Sequence, residues 1–410
     1  MSLLTNFLDR FIRNGRLHLI DAEGKTHDFG GEGPGPEVTL RLHDKSLATK
    51  LVLSPELAMP EAYMDGTLTF ENGSTVKDFL VLFSVNRRTL ATTTSQRIWS
   101  RMLRGAKRFQ QNNRLGLAAD RVRHHYDLSG DLYRLFLDRD LHYSCAYWRD
   151  PDTETLEDAQ ANKLRHAVAK LNLEPGMEVA EIGSGWGAFA MALARAGAKV
   201  TAVNVSREQL AVSRQRAKDE GLEDRIDFRE MDYRELEGRF DRVVSVGMME
   251  HVGVNHFDAY FGKVRDLLKP NGYAFIHAIG RMSPPGTTSP FIHKYIFPGG
   301  YVPAMSEVFA SLERVGLWCA DAEILRLHYY YTIREWRRRF EANREKAVAL
   351  YDERFARMWE FYLVAVELGF LNGSNMVYQV LLSKERDAVP ITRDFITDNE
   401  RALEADAADA

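Results

Sequence analysis

The sequence predicts an α/β fold: a doubly wound, mostly parallel sheet of seven strands edged by a hairpin, with a small α+β domain ahead of it. Three observations carry this. From about residue 160, short β-rich runs alternate with helical runs. The first of those strands runs straight into a glycine-dense turn. Before residue 85 a different pattern holds, with strands and loops but no βαβ repeat.

In the N-terminal module, residues 37–44 (EVTLRLHD) set Val38, Leu40 and Leu42 against polar neighbours, the alternation of a half-buried strand. The Gly- and Pro-dense string from Phe29 to Pro36 reads as a loop before it. Two stretches read as basic amphipathic helices. At the N-terminus Leu4, Phe7, Leu8 and Phe11 oppose Arg10 and Arg13. Over 95–114, Ile98, Trp99, Met102, Leu103, Ala106 and Phe109 oppose Arg97, Arg101, Arg104 and Arg108. Such helices can lie in a lipid interface with arginines on anionic head groups, or can bury the apolar face as ordinary core.

The sheet's strands are MEVAEIG, AKVTAVNV, RIDFRE, FDRVVSV and YAFIHAIG, with Leu317–Leu325 and Met376–Leu382 closing it as a hairpin. An aromatic, charged helical insert occupies about 330–366. The acidic end, ALEADAADA, reads as a disordered tail. The domain boundaries that follow are 1–94, a basic linker at 95–123, a catalytic domain at 124–388 and a tail at 389–410.

Composition narrows the class. The 410 residues suit two or three domains at roughly 150 each. They are 45% hydrophobic and 27% charged, which excludes a disordered, collagen-like or disulfide-stapled chain. The two cysteines, Cys145 and Cys319, offer no metal-ligand spacing; His124 and His125 lack partners for one, and no metal is expected. Residues 1–125 carry 18 Lys+Arg against 13 Asp+Glu, and the remainder 36 against 45. A basic front on an acidic protein points to an anionic surface as partner rather than to nucleic acid. No apolar run approaches the roughly 20 residues of a membrane span, and Asp9, Arg10 and Arg13 break any signal-peptide centre. The expected location is cytoplasmic, peripheral to the inner face of the membrane.

The chemistry-bearing turn is Glu181-Ile182-Gly183-Ser184-Gly185-Trp186-Gly187. Its glycines permit a tight turn and close approach of a ligand at a helix N-terminus. It lacks the later glycine of the GxGxxG dinucleotide pattern. With Glu181 two positions before the first glycine, it favours S-adenosylmethionine (SAM) over NAD. After the second strand Asn204, Ser206 and Gln209 replace the acid that often holds a ribose. After the third, Asp232 and Tyr233 are placed to meet adenine, or are a surface loop.

Several strings in order now resemble the cyclopropane-fatty-acyl-phospholipid synthase family, which includes the mycolic acid cyclopropane synthases. They are HHYDLSGDLYRLFLD (124–138), YSCAYW (143–148), EIGSGWG (181–187), NVSREQ (204–209), MDYREL (231–236), VSVGMMEHVG (244–253), IHAIG (276–280) and HYYYTIREW (328–336). AYMDG (62–66) is similar to the family's N-terminal domain. The resemblance implies a Rossmann-like class I SAM methyltransferase domain and methyl transfer from SAM to the cis double bond of an acyl chain on a membrane phospholipid. It implies bicarbonate as base, held by Cys145, Glu250, His277, the backbone of Ile279, and Tyr329, a position that Tyr330 and Tyr331 crowd. It implies cofactor contacts at Tyr143, Ser144, Gly183, Gly185, Ser206, Gln209 and Tyr233, and a homodimer. Ser184 and Asn204 stand where cysteine and threonine are common in the family, and neither change removes a reacting group.

That chemistry suits these residue types. An alkene is a weak nucleophile, so a sulfonium must be held in line in a dry site. The cation left behind needs aromatic neighbours, for which Tyr126, Trp148, Tyr295, Phe297, Phe361 and Tyr329–Tyr331 are candidates. It also needs a small base. A protonated His277 and a neutral or proton-sharing Glu250 would hold that base, with Cys145 and Tyr329 as donors. The rival readings are a related fatty-acyl methyltransferase giving a branched or methylene product, a small-molecule methyltransferase, and a non-catalytic SAM- or lipid-binding protein.

Overall fold

The computed structural model describes residues 1–90 and 130–408. The basic stretch at 95–114, the linker, and His124, His125 and Tyr126 lie outside the described residues. The described residues group into two units, one comprising 1–90 with Thr287–Pro298 and 333–374, the other 130–286, 299–332 and 375–408.

The first unit opens with α1 (Ser2–Phe11), β1 (Asn14–Ile20), β2 (Thr26–Gly30), β3 (Gly33–Leu42), α2 (Leu47–Leu53), α3 (Pro55–Met64), β4 (Leu68–Glu71) and α4 (Val76–Leu90). The strands form one sheet in the order β2-β1-β3-β4. As the alternation predicts, Val38, Leu40 and Leu42 are buried, and they pair in register with Leu17 and Leu19 of β1 or Leu68 of β4. The Gly/Pro string is not a loop. It forms the end of β2 and the start of β3, with the chain crossing the head of β1 between them. Glycine is required there because a Cβ on Gly31 would fall 1.6 Å from the Arg13 carbonyl oxygen. On α1, Leu4, Leu8 and Phe11 are buried in this unit, and Phe11 packs on Phe83 with ring centroids 4.7 Å apart. Leu4, Leu8 and Phe11 of the helix's apolar face are therefore core, while Phe7 on the same face is 39% exposed.

The second unit runs through α5 (Gly130–Arg134), α6 (Leu156–Leu171), β5 (Glu178–Ile182), α7 (Ala188–Arg195), β6 (Lys199–Asn204), α8 (Arg207–Asp219), β7 (Ile226–Glu230), β8 (Phe240–Val246), α9 (Phe257–Leu267), β9 (Leu268–Arg281), α10 (Met305–Val315) and β10 (Trp318–Leu325). The helix α11 (His328–Ala342) begins in this unit, and α12 (Arg344–Leu350) and α13 (Glu353–Leu371), which follow it, belong to the first. The chain then returns as β11 (Asn375–Ser383) and ends in α14 (Asp394–Ala408). The sheet order is β10-β11-β9-β8-β5-β6-β7. Only β11 runs antiparallel to its neighbours, which is the predicted parallel sheet with a hairpin edge.

Helices on both faces bury the central strands completely, so Val179, Ala180, Glu181 and Ile182 are all buried in succession. The chain order reverses between β5 and β8. The crevice beyond their carboxyl ends is where ligands bind in such sheets. The acidic end, expected as a tail, is the helix α14 as far as Ala408. Asn399 donates to the Ala169 carbonyl at 3.1 Å and Glu400 meets His166 at 2.8 Å, so polar contacts with α6 hold the segment.

One polar side chain bolts the first unit. Asn86, fully buried, accepts from the N–H groups of Arg13 and Asn14 at 2.7 and 2.9 Å and donates to the Asn14 and Leu82 carbonyls, each at 2.8 Å. Asn86→Ala orphans those backbone groups and is expected to destabilise this unit by about 3 kcal/mol. Urea denaturation followed by a probe in residues 1–90 checks it; an unchanged midpoint would count against this role.

Candidate active site

The cleft at the carboxyl ends of β5 and β8 is assembled from four segments. The turn 183–187 supplies its floor, with φ of +81°, +52° and +84° at Gly183, Gly185 and Gly187. A Cβ at Gly185 would meet no protein atom within 4 Å, whereas one at Gly187 would strike Ser213 at 2.8 Å. Gly185 thus keeps open space toward the cleft, and Gly187 serves packing. Asn204 donates to the Gly185 carbonyl at 3.2 Å and to Gln209 Oε1 at 3.0 Å, while its own Oδ1 accepts from the Ser206 N–H at 3.1 Å. Ser206 caps α8 by accepting from the Gln209 N–H. Asn204, Ser206 and Gln209 are therefore brought together, and they brace the glycine turn.

The segment 140–144 forms a second wall. Arg216 donates to the carbonyls of Asp140 and Trp186 at 3.1 and 3.2 Å and pairs with the Asp140 carboxylate, tying this wall to the glycine turn. Tyr143 sets its ring edge-on to Tyr133 at 5.3 Å. From α6, Gln160 donates to the Ser144 carbonyl and Lys163 to Ser144 Oγ, each at 3.1 Å. At the far side, Asp232 and Tyr233 line the cleft. The Asp232 carboxylate is held by the guanidinium of Arg234, with one bond of 2.8 Å. Burial opposes its ionisation, but these bonds outweigh it and leave the pKa lowered. Tyr233 packs edge-on to Tyr260 at 5.6 Å.

Glu181 is 3% exposed, and its Oε2 has no hydrogen-bond partner among the described residues. Burial pushes its pKa up to about 8. A carboxyl so placed calls for a cationic or donor group from a ligand. Together with the open space at Gly185, this fits the amino-acid end of SAM.

The second cluster centres on the end of β9. Glu250 follows β8 and accepts from the Ile279 N–H at 2.6 Å through Oε1; its Oε2 has no partner among the described residues. Burial raises its pKa to about 7 against that bond. The Ile279 N–H is thereby spent on the glutamate, so Ile279 acts by anchoring Glu250 rather than by offering a free donor.

His277 lies two residues back on the same strand, directly across from Gln379 of β11, which in turn faces Glu323 of β10. From α6 Lys170 donates to Gln379 Oε1 at 2.7 Å, which turns the amide nitrogen toward His277 Nδ1 at 3.1 Å. That bond leaves the imidazole proton on Nε2. Burial, then Lys163, Lys170 and His166, drive the His277 pKa down to about 3. The expectation of a protonated His277 is thus corrected: the ring is neutral and donates from Nε2 alone.

Cys145 is 1% exposed and its thiol donates to the Ala146 carbonyl at 3.3 Å. Burial raises its pKa, so it is a thiol rather than a nucleophilic thiolate. The first turn of α11 clamps this segment. Thr332 Oγ1 accepts from the Ala146 N–H and from Trp148 Nε1, each at 3.1 Å, and His328 Nδ1 accepts from the Trp148 N–H at 2.9 Å. Tyr329, one turn before Thr332, is buried, while Tyr330 and Tyr331 are half-buried. Tyr295, Phe297 and Phe361 belong to the first unit, where Phe361 packs edge-on to Phe291 at 5.1 Å. Cys319 is half-buried on β10.

Sequence reasoning missed Lys163, His142 and His251, all of which line the cleft. The available signal was a lysine on the apolar stripe Leu156, Ala159, Lys163, Ala167 of a helix. Among the described residues no group of three or more His, Cys, Asp or Glu is placed to hold a metal ion, and no helix is long and apolar enough to cross a membrane.

The sheet order, the glycine turn and the orphaned Glu181 define a SAM-dependent methyltransferase. Residues 114–380 match the family model described as mycolic acid cyclopropane synthetase, and the chain belongs to that family of SAM-dependent lipid methyltransferases. It is similar to a Pseudomonas putida protein named "Probable fatty acid methyltransferase", 37% identical over 378 residues, 90% of this chain and 91% of that one. It is also similar to the cyclopropane-fatty-acyl-phospholipid synthase of Escherichia coli, 40% identical over 261 residues, covering 63% of this chain and 66% of the relative. Among solved structures, the cyclopropane synthase MmaA2 from Mycobacterium tuberculosis superposes with a TM-score of 0.62 at 30% identity, over 66% of this chain and 100% of that one. The mycolic acid cyclopropane synthase CmaA1 complexed with SAH and CTAB gives 0.61 at 30% identity, over 64% and 97%.

Gly185→Val places a side chain in the cleft and forces φ of +52° on a β-branched residue. SAM affinity is expected to fall by about 10²-fold or more. Isothermal calorimetry on the folded variant checks it, and wild-type affinity would refute the assignment of the turn.

Proposed function

We propose that this chain bridges the cis double bond of unsaturated acyl chains in membrane phospholipids with a methylene derived from SAM, closing a cyclopropane ring with bicarbonate as base. The observation that supports this most is the buried Oε2 of Glu250, unpartnered among the described residues and fixed through Ile279, two residues along β9 from a neutral His277 whose remaining N–H is a donor. Such an acceptor and donor suit a small, proton-bearing oxyanion.

When bound, SAM supplies an electrophilic methyl group and bicarbonate a compact base. The chain's residues do the holding. Glu250, with a pKa near neutrality, can share a proton at Oε2. His277 donates from Nε2, Tyr329 completes the donor set, and Cys145 stays a thiol and forms no covalent bond. A cis alkene that gains a methyl group carries positive charge, and closes to a ring only if that methyl loses a proton before water arrives. The near-complete burial of Cys145, Trp148, Glu250 and His277 favours that order of events. The substrate would be met at an anionic membrane surface, with the basic stretch at 95–114 as the docking element and a homodimer as the working form.

A second reading has a specific observation in its favour. The P. putida relative that spans 90% of this chain carries a fatty acid methyltransferase name. A Mycobacterium tuberculosis relative, 40% identical over 64% of this chain, is named tuberculostearic acid methyltransferase. Loss of a different proton from the same cation gives an exocyclic methylene or a methyl-branched alkene.

Expression in a bacterial host lacking its own cyclopropane synthase, with mass spectrometry of phospholipid acyl chains, tests the function. A gain of one CH₂ is expected, and derivatisation separates ring from alkene or branch. No added CH₂ would overturn both readings. Glu250→Gln is expected to lower turnover by about 10²-fold or more while SAM affinity is retained. Full turnover would remove Glu250 from the mechanism.

Gln379→Glu replaces a donor to His277 Nδ1 with an acceptor and so moves the imidazole proton from Nε2 to Nδ1. Turnover is expected to fall by about tenfold or more at unchanged SAM affinity. Nitrogen-15 NMR of labelled histidine checks the tautomer; a protonated Nε2 with full turnover in the variant would refute this coupling.

A further inference from the structure

Lys163 is the charged group of the cleft that the proposed chemistry leaves without work. It projects from the buried stripe of α6, is 4% exposed and lines the same cleft as Glu181 and the glycine turn. Among the described residues its one hydrogen bond is to Ser144 Oγ at 3.1 Å, and it makes no ion pair with a carboxylate. A lysine ammonium has three donors, so two find no partner among the described residues. Burial lowers its pKa to about 8, which still leaves it largely cationic at neutral pH. An ammonium buried in this way is stable only with an anion beside it.

Glu181 poses the opposite demand in the same cleft. It is a buried carboxyl with one oxygen unpartnered, and it is not ion-paired with Lys163. The cleft therefore holds one buried acid and one buried base, each incomplete. The amino-acid end of SAM is a zwitterion, with one ammonium and one carboxylate on a single carbon. We infer that Lys163, with Ser144 Oγ beside it, anchors the carboxylate of SAM's amino-acid end, while Glu181 receives its ammonium group. This inference rests on SAM as the ligand, and it assigns Lys163 as a specificity-determining residue of the cofactor site.

Three further features fit. Gln160 holds the Ser144 backbone carbonyl, and Ser144 Oγ, which accepts from Lys163, keeps its own O–H as a second donor. Asp138 and Asp140 favour the charged form of Lys163 through space. Asp138 spends its hydrogen bonds on the N–H groups of Asp140 and His142 and on the His142 ring at 2.7 Å, and Asp140 is paired with Arg216. Neither forms an ion pair with Lys163 among the described residues, so its remaining donors are open to an anion of the ligand.

The test compares SAM with its decarboxylated analogue, which keeps the sulfonium, the adenosine and the amine but lacks the carboxylate. Calorimetry on the wild-type protein is expected to show SAM bound roughly ten- to hundredfold tighter than the analogue. In Lys163→Met, of similar length and uncharged, that preference should collapse, with SAM weakened and the analogue unchanged. Glu181→Gln should weaken both ligands, since both carry the amine. Equal affinities of the wild-type protein for the two ligands would overturn the inference without any variant. So would equal loss of both in Lys163→Met, the pattern of a lysine that only props up Ser144. Failure of the wild-type protein to bind SAM at all would instead overturn the cofactor assignment beneath it.

Discussion

The structure depends on one constraint: a parallel sheet covered on both faces has no wet side, so every polar group at its carboxyl end must find a partner within the protein or in a ligand. Glu181 ends a strand whose neighbours are all buried. Glu250 and His277 lie where β8 and β9 finish, and Lys163 reaches in from α6. In water each would titrate near its ordinary pKa. Here burial moves Glu181 and Glu250 up and His277 and Lys163 down. The same burial that destabilises these charges leaves them ready for a ligand, because a bound group need not displace a strongly hydrated shell.

Behind the cleft a polar row runs across the sheet. Glu323, Gln379 and His277 occupy facing positions on β10, β11 and β9, and α6 lays His166 and Lys170 over them. His166 bridges Glu323 and Glu400 at 2.7 and 2.8 Å, and Lys170 joins Glu323 to Gln379. Removing one member would strand the others in a low-dielectric interior. The row explains why α14 is an ordered helix rather than a tail: Glu400 supplies the outer carboxylate. It also fixes a proton on His277, because lysine can only donate and so dictates which way the Gln379 amide faces.

Much of this was legible in the sequence, and the failures share a cause. Strand periodicity and the glycine turn are local, so β5 to β9, the β10–β11 edge and Gly183–Gly187 could be read directly. The Gly/Pro string at 29–36 was misread because its glycines answer to a distant backbone, the Arg13 carbonyl, and not to a local turn. The acidic end was misread because its partners, His166 and Asn172, lie more than 220 residues away. For the site, residues that line the cleft, among them Tyr143, Glu181, Gly185, Asp232 and His277, could be named from the sequence, but their protonation could not. His277 reads as a candidate cation until Gln379 and the ammonium groups of Lys163 and Lys170 are placed around it. Lys163 hid in plain composition, since a lysine on an apolar stripe is ordinarily a side chain reaching out to water.

The two halves of the site make opposite electrostatic demands, and the chain meets them with different chemistry. The cofactor's charged end is suited by Lys163, largely cationic, and by Glu181, whose buried carboxyl can ionise against an ammonium group. The reacting end must not present a fixed cation beside a developing carbocation, and there His277 is neutral, Cys145 is a thiol and Glu250 sits near the midpoint of its titration. On the proposed reading, what decides between a ring, a methylene and a methyl-branched alkene is which proton of the cation faces the base. Glu250 Oε2 would set that direction, since it is aimed by the bond from the Ile279 N–H to Oε1. A small change in the path of the backbone after His277 would redirect it without altering a single residue type in the site. Residue identity can therefore leave the product open, since the deciding quantity is the orientation of one buried carboxyl.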